Sequence, residues 1–185
     1  SLTSSGFKMD NSTIENGEGE NITAIKSFNA AVDINTQSKI KNFYVGVDKE
    51  EGNSSSGNSL SIDQSRFENC ITAIRNMSNV VKVTANFIDG AVLSSGVCNG
   101  LWYANNFRKG AVIDDPQSTQ DIRENFFYSK ELVLNRDNKV TDALCNQWSN
   151  TTLAVDGSCT DIKSEWGSYN ISSGNRHLNP YCIMQ

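Results

Sequence analysis

Apolar residues recur along the chain in two interleaved rhythms. Short runs alternate apolar and polar positions, as in Val32-Asp33-Ile34, Leu60-Ser61-Ile62 and Val81-Lys82-Val83, the pattern of strands that turn one face inward. Over a longer range Phe67, Phe87, Phe107 and Phe127 stand twenty residues apart. Each precedes a short apolar run: Ile71-Thr72-Ala73-Ile74, Ala91-Val92-Leu93, Ala111-Val112-Ile113 and Leu132-Val133-Leu134. A repeat of this length with strand-like spacing predicts stacked coils, none of which can bury its apolar face alone.

The repeat extends towards the N-terminus. Ile22-Thr23-Ala24-Ile25-Lys26 almost duplicates Ile71-Thr72-Ala73-Ile74-Arg75, with Ile14 in the place of Phe67, and Ile40 leads to Tyr44-Val45-Gly46-Val47. An alternating segment precedes each anchor: Met9, Val32 and Ile34, Leu60 and Ile62, Val81 and Val83, Leu101 and Tyr103, then Ile122. Asn86 to Leu93 aligns without gaps on Asn106 to Ile113, which puts Gly90 and Gly110 at one equivalent tight bend. The four phenylalanines are expected to stack as an interior ladder. Asn69, Asn86, Asn105, Asn106 and Asn125 fall near turns, where their amides can bond from coil to coil.

This pattern resembles the right-handed parallel β-helix of the pectin-lyase-like superfamily, from Gly6 to Asn135 and over about six coils. The expected fold class is all-β, a single-stranded right-handed parallel β-helix with an irregular C-terminal cap. The resemblance is one of fold. It implies no single activity, because polysaccharide lyases, some glycoside hydrolases, phage tailspikes and secreted adhesins share the coil. Members of the superfamily usually close the first coil with a capping helix, so an upstream segment is expected. Residues 1–135 are read as the coils. Residues 136–185, where the periodicity ends and Trp148, Trp166, Tyr169 and Tyr181 are scattered, are read as a cap of the same domain.

A chain of 185 residues with 37% hydrophobic content suits one elongated domain. Its net charge of −5, with no basic block, argues against nucleic acid as a partner, and no stretch is apolar enough for membrane insertion. Of the five cysteines, Cys145 and Cys159 bracket a polar loop and are expected to form a disulfide, which places the protein in an oxidising compartment. The alternative is five thiols in a cytosolic chain. Abundant Asn and Ser and a flexible insertion from Glu50 to Asn58 favour a secreted or cell-surface location. Glycosylation triplets begin at Asn11, Asn21, Asn53, Asn76, Asn150 and Asn170.

Candidate chemistry is sparse. The single histidine, His177, is expected on the surface of the cap, and no phosphate loop, nucleophile elbow or dinucleotide fingerprint is present, so no cofactor is expected. Asp114-Asp115-Pro116 offers two carboxylates to calcium, although a proline-ended turn is the plainer reading. The sharpest candidate is an outward row. With Leu60, Ile62, Val81, Val83, Leu101, Tyr103 and Ile122 inward, Ser61, Lys82 and Trp102 stack outward, flanked by Asp63, Thr84 and Arg123. Lys82, Trp102, Asp63 and Arg123 would then bind a polysaccharide or cell-surface glycan, the indole stacking on a sugar face. In the opposite phase Trp102 would be core. Lys82 and Arg123 are also the candidates for a β-elimination lyase, one neutralising a uronate and the other taking its proton. The expected function is therefore non-catalytic binding of a glycan or a protein partner along one face. The alternative is a polysaccharide lyase or other polysaccharide-active enzyme, and side-by-side assembly of coils would give a trimer.

Overall fold

The computed structural model of the chain describes residues 6–16, 21–50, 59–78, 80–95, 99–109, 111–114, 120–127, 132–135, 141–144, 147–148 and 177–179. Its strands build an all-β parallel solenoid with three parallel sheets, about four turns over residues 7–123, where about six coils were expected up to Asn135. The chain visits the three sheets in turn and returns to the first one strand further on. Sheet 1 contains Phe7–Asp10, Val32–Asn35, Ser59–Asp63, Val80–Thr84, Asn99–Tyr103 and Gln120–Arg123. Sheet 2 has shorter strands: Thr13–Glu15, Lys39–Lys41, Arg66–Glu68, Phe87–Ile88, Asn106–Phe107 and Phe126–Phe127. Sheet 3 comprises Thr23–Phe28, Val45–Glu50, Thr72–Asn76, Ala91–Ser95, Ala111–Asp114 and Leu132–Asn135. Within residues 136–185, Thr141–Leu144 and Gln147–Trp148 pair in parallel with the preceding strands of sheets 1 and 2.

Parallel register turns the alternation of each strand into rows that run the length of the solenoid. Met9, Ile34, Ile62, Val83, Trp102 and Ile122 form one inward row of sheet 1. Ile25, Val47, Ile74, Val92 and Ala111 form the matching row of sheet 3. All of them are buried and belong to one core cluster. Each Val or Ile withdrawn from water in this way contributes roughly 1.5–3 kcal/mol.

Two expectations are overturned by a shift of one residue. Trp102 points into the core and is fully buried, because Val83 pairs with Trp102 and Val81 with Gly100. Gly100 leaves its inward place without a side chain, and the indole two residues on packs at 6.4 Å from the Phe107 ring. Leu101 pairs with Lys82, and Tyr103 with Thr84, on the outer side. Phe87 likewise leaves the aromatic ladder. Phe67 pairs with Ile88, twenty-one residues on, and Ile88 with Phe107, nineteen residues on. The interior row of sheet 2 is thus Ile14, Ile40, Phe67, Ile88 and Phe107, while Phe87 is only partly buried. Alternate lengthening and shortening of the coil preserves an apparent period of twenty in the sequence and hides the slip.

The asparagine expectation holds where sheet 1 turns into sheet 2. Asn86 Nδ2 donates to Asn105 Oδ1 at 3.0 Å, and Asn105 Nδ2 donates to Asn125 Oδ1 at 3.0 Å. Each amide also donates to a backbone carbonyl one coil back: Asn86 to Ile62, Asn105 to Val83 and Asn125 to Trp102, at 2.7–2.9 Å. Backbone amides of Ser65, Asn86 and Asn105 donate to the Oδ1 of the following Asn. A buried corner that would strand polar groups is satisfied by one residue per coil. The residue before each Asn, Ala85, Ala104 or Glu124, is left-handed, with φ of 54–56°. Gly90 lies at the expected bend, and close packing adds a second demand for glycine there. A Cβ there would lie 2.7 Å from the Ala73 nitrogen and 2.9 Å from its Cβ, so close approach excludes any side chain.

Candidate functional site

With the interior rows fixed, the outer face of sheet 1 carries two outward rows, in which Lys82 and Arg123 are exposed, Thr84 is buried and the other members are partly exposed. The central one runs Asp33, Ser61, Lys82, Leu101 and Asp121. The second runs Asp63, Thr84, Tyr103 and Arg123. Three of the four residues expected in a ligand row, Lys82, Asp63 and Arg123, therefore share this face, and Trp102 lies beneath it. Tyr103 supplies the aromatic group that sequence spacing assigned to Trp102. The alternation of Asn99 to Tyr103 fits either phase, and only the pairing with Val80 to Thr84 selects between them.

The second row is internally connected. Thr84 Oγ1 donates to the Asp63 carboxylate, and Gln64 Nε2 donates to it at 3.2 Å. The Arg123 guanidinium lies 5.5 Å from the centre of the Tyr103 ring, while its Nε forms an ion pair with Asp121 at 3.2 Å. The Tyr103 phenol donates to Glu124, and the bonded carboxylate raises the phenol above its usual range. Lys82 is exposed and forms no ion pair with a described residue. The face thus joins a partly exposed aromatic ring, two cations and a bonded carboxylate, a set suited to hydroxyls and carboxylates of a sugar.

As catalytic partners Lys82 and Arg123 are awkwardly placed. They occupy different rows two coils apart, which separates their backbones by about 10 Å across the strands. Leu101 and Tyr103 lie on the strand between them.

No family model matches the chain, and neither does any curated protein or solved structure.

Elsewhere on the surface, sheet 3 presents a bonded charge cluster. Arg75 Nε donates to Asp48 Oδ1 at 2.7 Å, and Lys26 reaches Glu50 at 3.2 Å. The Arg75 hydrogen bonds hold the Asp48 carboxyl below its ordinary range, against the opposing effect of burial. Inside the same sheet Ser27, Lys49, Asn76 and Ser94 form a buried polar row, and Lys49 Nζ donates to the Glu50 carbonyl at 3.4 Å. Burial also disposes of one glycosylation triplet: Asn76 is fully enclosed and donates to Ser94 at 3.1 Å, whereas Asn11 and Asn21 are exposed. The only cysteine among the described residues, Cys70, is a buried thiol, and burial raises its pKa. The expected Cys145–Cys159 bridge, the insertion at 51–58 and the side chains of Asp114, Asp115 and His177 lie outside the described residues. Among the described residues no three metal-ligating side chains come together, and no helix is long and apolar enough to cross a membrane.

Proposed function

We propose that the protein is a secreted or surface-exposed right-handed β-helix of pectin-lyase-like architecture. Residues 136–185 close its end, and it binds a glycan along the outer face of sheet 1 without transforming it. The observation that supports this reading is the continuous row Asp63, Thr84, Tyr103 and Arg123 beside Lys82, where an aromatic ring is flanked by groups that bond hydroxyls and carboxylates. Sugar sites combine an apolar plate with convergent polar groups in this manner. A partner protein on the same face would meet the same side chains. Lyase chemistry would require Lys82 and Arg123 to converge on one sugar from two coils apart.

Affinity electrophoresis against a panel of neutral and uronic-acid polysaccharides tests the proposal, with unsaturated product followed by absorbance in the same samples. Retardation without product is expected, and Tyr103→Ala with Lys82→Ala should weaken it by about tenfold, equivalent to roughly 1.4 kcal/mol. Product formation that disappears in Lys82→Ala or Arg123→Ala would overturn the binding reading in favour of a lyase. Retardation unchanged in both variants would remove this face from the proposal.

A further inference from the structure

We propose that Asn21 is a site of N-linked glycosylation and that the first sugars of its glycan lie along an exposed apolar ridge formed by Ile22, Tyr44 and Ile71. The proposal takes from the previous reading only the secreted location; it makes no use of the outer face of sheet 1.

The ridge stands at the corner where sheet 2 turns into sheet 3. Thr23, Val45 and Thr72 are in register at the start of sheet 3, and the residues just before them are Ile22, Tyr44 and Ile71. Backbone bonds tie the three coils at this level: the Tyr44 amide donates to the Ile22 carbonyl at 3.1 Å, and the Thr72 amide to that of Tyr44 at 2.9 Å. Ile22, Tyr44 and Ile71 are 40%, 47% and 59% exposed. Scattered apolar residues on a surface need no explanation, but three on consecutive coils, about 4.8 Å apart, make a continuous strip. The strip ends at the fourth coil, where Gly90 takes the equivalent place before Ala91 and supplies no side chain.

The cover for this strip is written beside it. Asn21-Ile22-Thr23 is a glycosylation triplet whose middle residue is the first member of the ridge. Asn21 is exposed and precedes the strand that begins at Thr23, so a glycan there displaces nothing from the sheet. Asn76, by contrast, is fully enclosed, and a sugar on it is incompatible with the fold. A pyranose is about as long as one strand spacing, about 4.8 Å, so the first sugars leading from Asn21 span the three coils. Their C–H faces can rest on the isoleucines and on the Tyr44 ring, which withdraws the strip from water. Polar partners run alongside. Asn42 Nδ2 donates to Glu15 at 3.3 Å and Asn69 Nδ2 donates to Asn42 Oδ1 at 3.0 Å, two residues before Tyr44 and Ile71 respectively. Each of these amide nitrogens carries a second hydrogen, suited to the hydroxyls and N-acetyl groups of the sugars.

The chain secreted from a eukaryotic cell, mapped by peptide mass spectrometry and melted before and after enzymatic removal of its glycans, tests the proposal. Asn21 is expected to be occupied and Asn76 bare. Complete removal by peptide N-glycosidase should lower the melting temperature by about 2–4 °C, and trimming to a single N-acetylglucosamine by endoglycosidase H should lower it less. The fall should vanish in Asn21→Gln, where no glycan is added at that site, and shrink in Tyr44→Ala, where the glycan is added but loses its aromatic support. An unmodified Asn21 in the secreted, folded protein would overturn the proposal, as would a fall undiminished in Tyr44→Ala or no fall at all. Concentration-dependent association of protein unmodified at Asn21, abolished by Tyr44→Asp, would give the ridge to a second copy of the chain. Retention in the cell with a glycan on Asn76 would overturn the secreted location and this proposal with it. Lys82→Ala/Tyr103→Ala should change neither the occupancy of Asn21 nor the fall, and Asn21→Gln should leave retardation by polysaccharide unchanged, so the sheet 1 reading and this one fail separately.

Discussion

Asp48 ties adjacent coils of sheet 3 together, since its nearly buried carboxylate accepts hydrogen bonds from Arg75 and lies 4.0 Å from Lys26. Its folded pKa is depressed, so the unfolded chain binds the proton more readily as the solution becomes acidic. The stabilisation is therefore present above the ordinary carboxylate value of about 3.9 and is lost as pH falls through the lower folded value. Asp48→Asn is expected to cost about 2 kcal/mol at pH 7, the scale of hydrogen bonds to a charged group. Urea denaturation of parent and variant across pH should show the two stabilities drawing together as pH falls from about 4, where the unfolded chain takes up the proton, through the lower folded value. A constant gap down to acid pH would mean that the carboxylate charge is irrelevant. Cys70 responds in the opposite sense: burial raises its folded pKa, so above the ordinary thiol value of about 8.5 the unfolded chain is deprotonated first and stability declines. Ellman's reagent should accordingly label Cys70 in the native protein far more slowly than in urea.

At the scale of the strand, the choice between Phe87 and Ile88 offers a direct check on register. Ile88 is fully buried between Phe67 and Phe107, and truncation to Ala should cost about 2–5 kcal/mol. Phe87→Ala removes a larger side chain but from the outer face, and is expected to cost under about 1 kcal/mol. Thermal melts of the two variants decide the matter; a larger loss in Phe87→Ala would return the phenylalanine to the interior. Much of the architecture was legible from strands such as Val32–Asn35 and Ser59–Asp63, whose alternation has a single apolar phase. Asn99–Tyr103 was not, because Leu101 and Tyr103 are as apolar a set as Gly100 and Trp102 are when the glycine is counted as empty space. The site inherited that ambiguity. Strand alternation puts Lys82, Asp63 and Arg123 on one outer face, but it assigns Trp102 there where the register brings Tyr103.

For the whole molecule, the asparagine corner matters more than any one of its hydrogen bonds. Asn86 and Asn105 each bond forwards to the next amide, and all three of Asn86, Asn105 and Asn125 bond backwards to the preceding coil's carbonyl. Each therefore depends only on its immediate neighbours, which is the condition for nearest-neighbour stability in repeat proteins. Tandem duplication of residues 86–104 should insert one more coil and keep a cooperative melt with added β-sheet signal by circular dichroism. Duplication of residues 86–103, one residue shorter, would bring the next Asn to its corner one step early and should broaden or abolish the melt. Similar behaviour of the two insertions would show that the corner sets no register. The wider consequence concerns inheritance: a chain joined in this fashion can gain or lose length in whole links by recombination, without redesign of any single link.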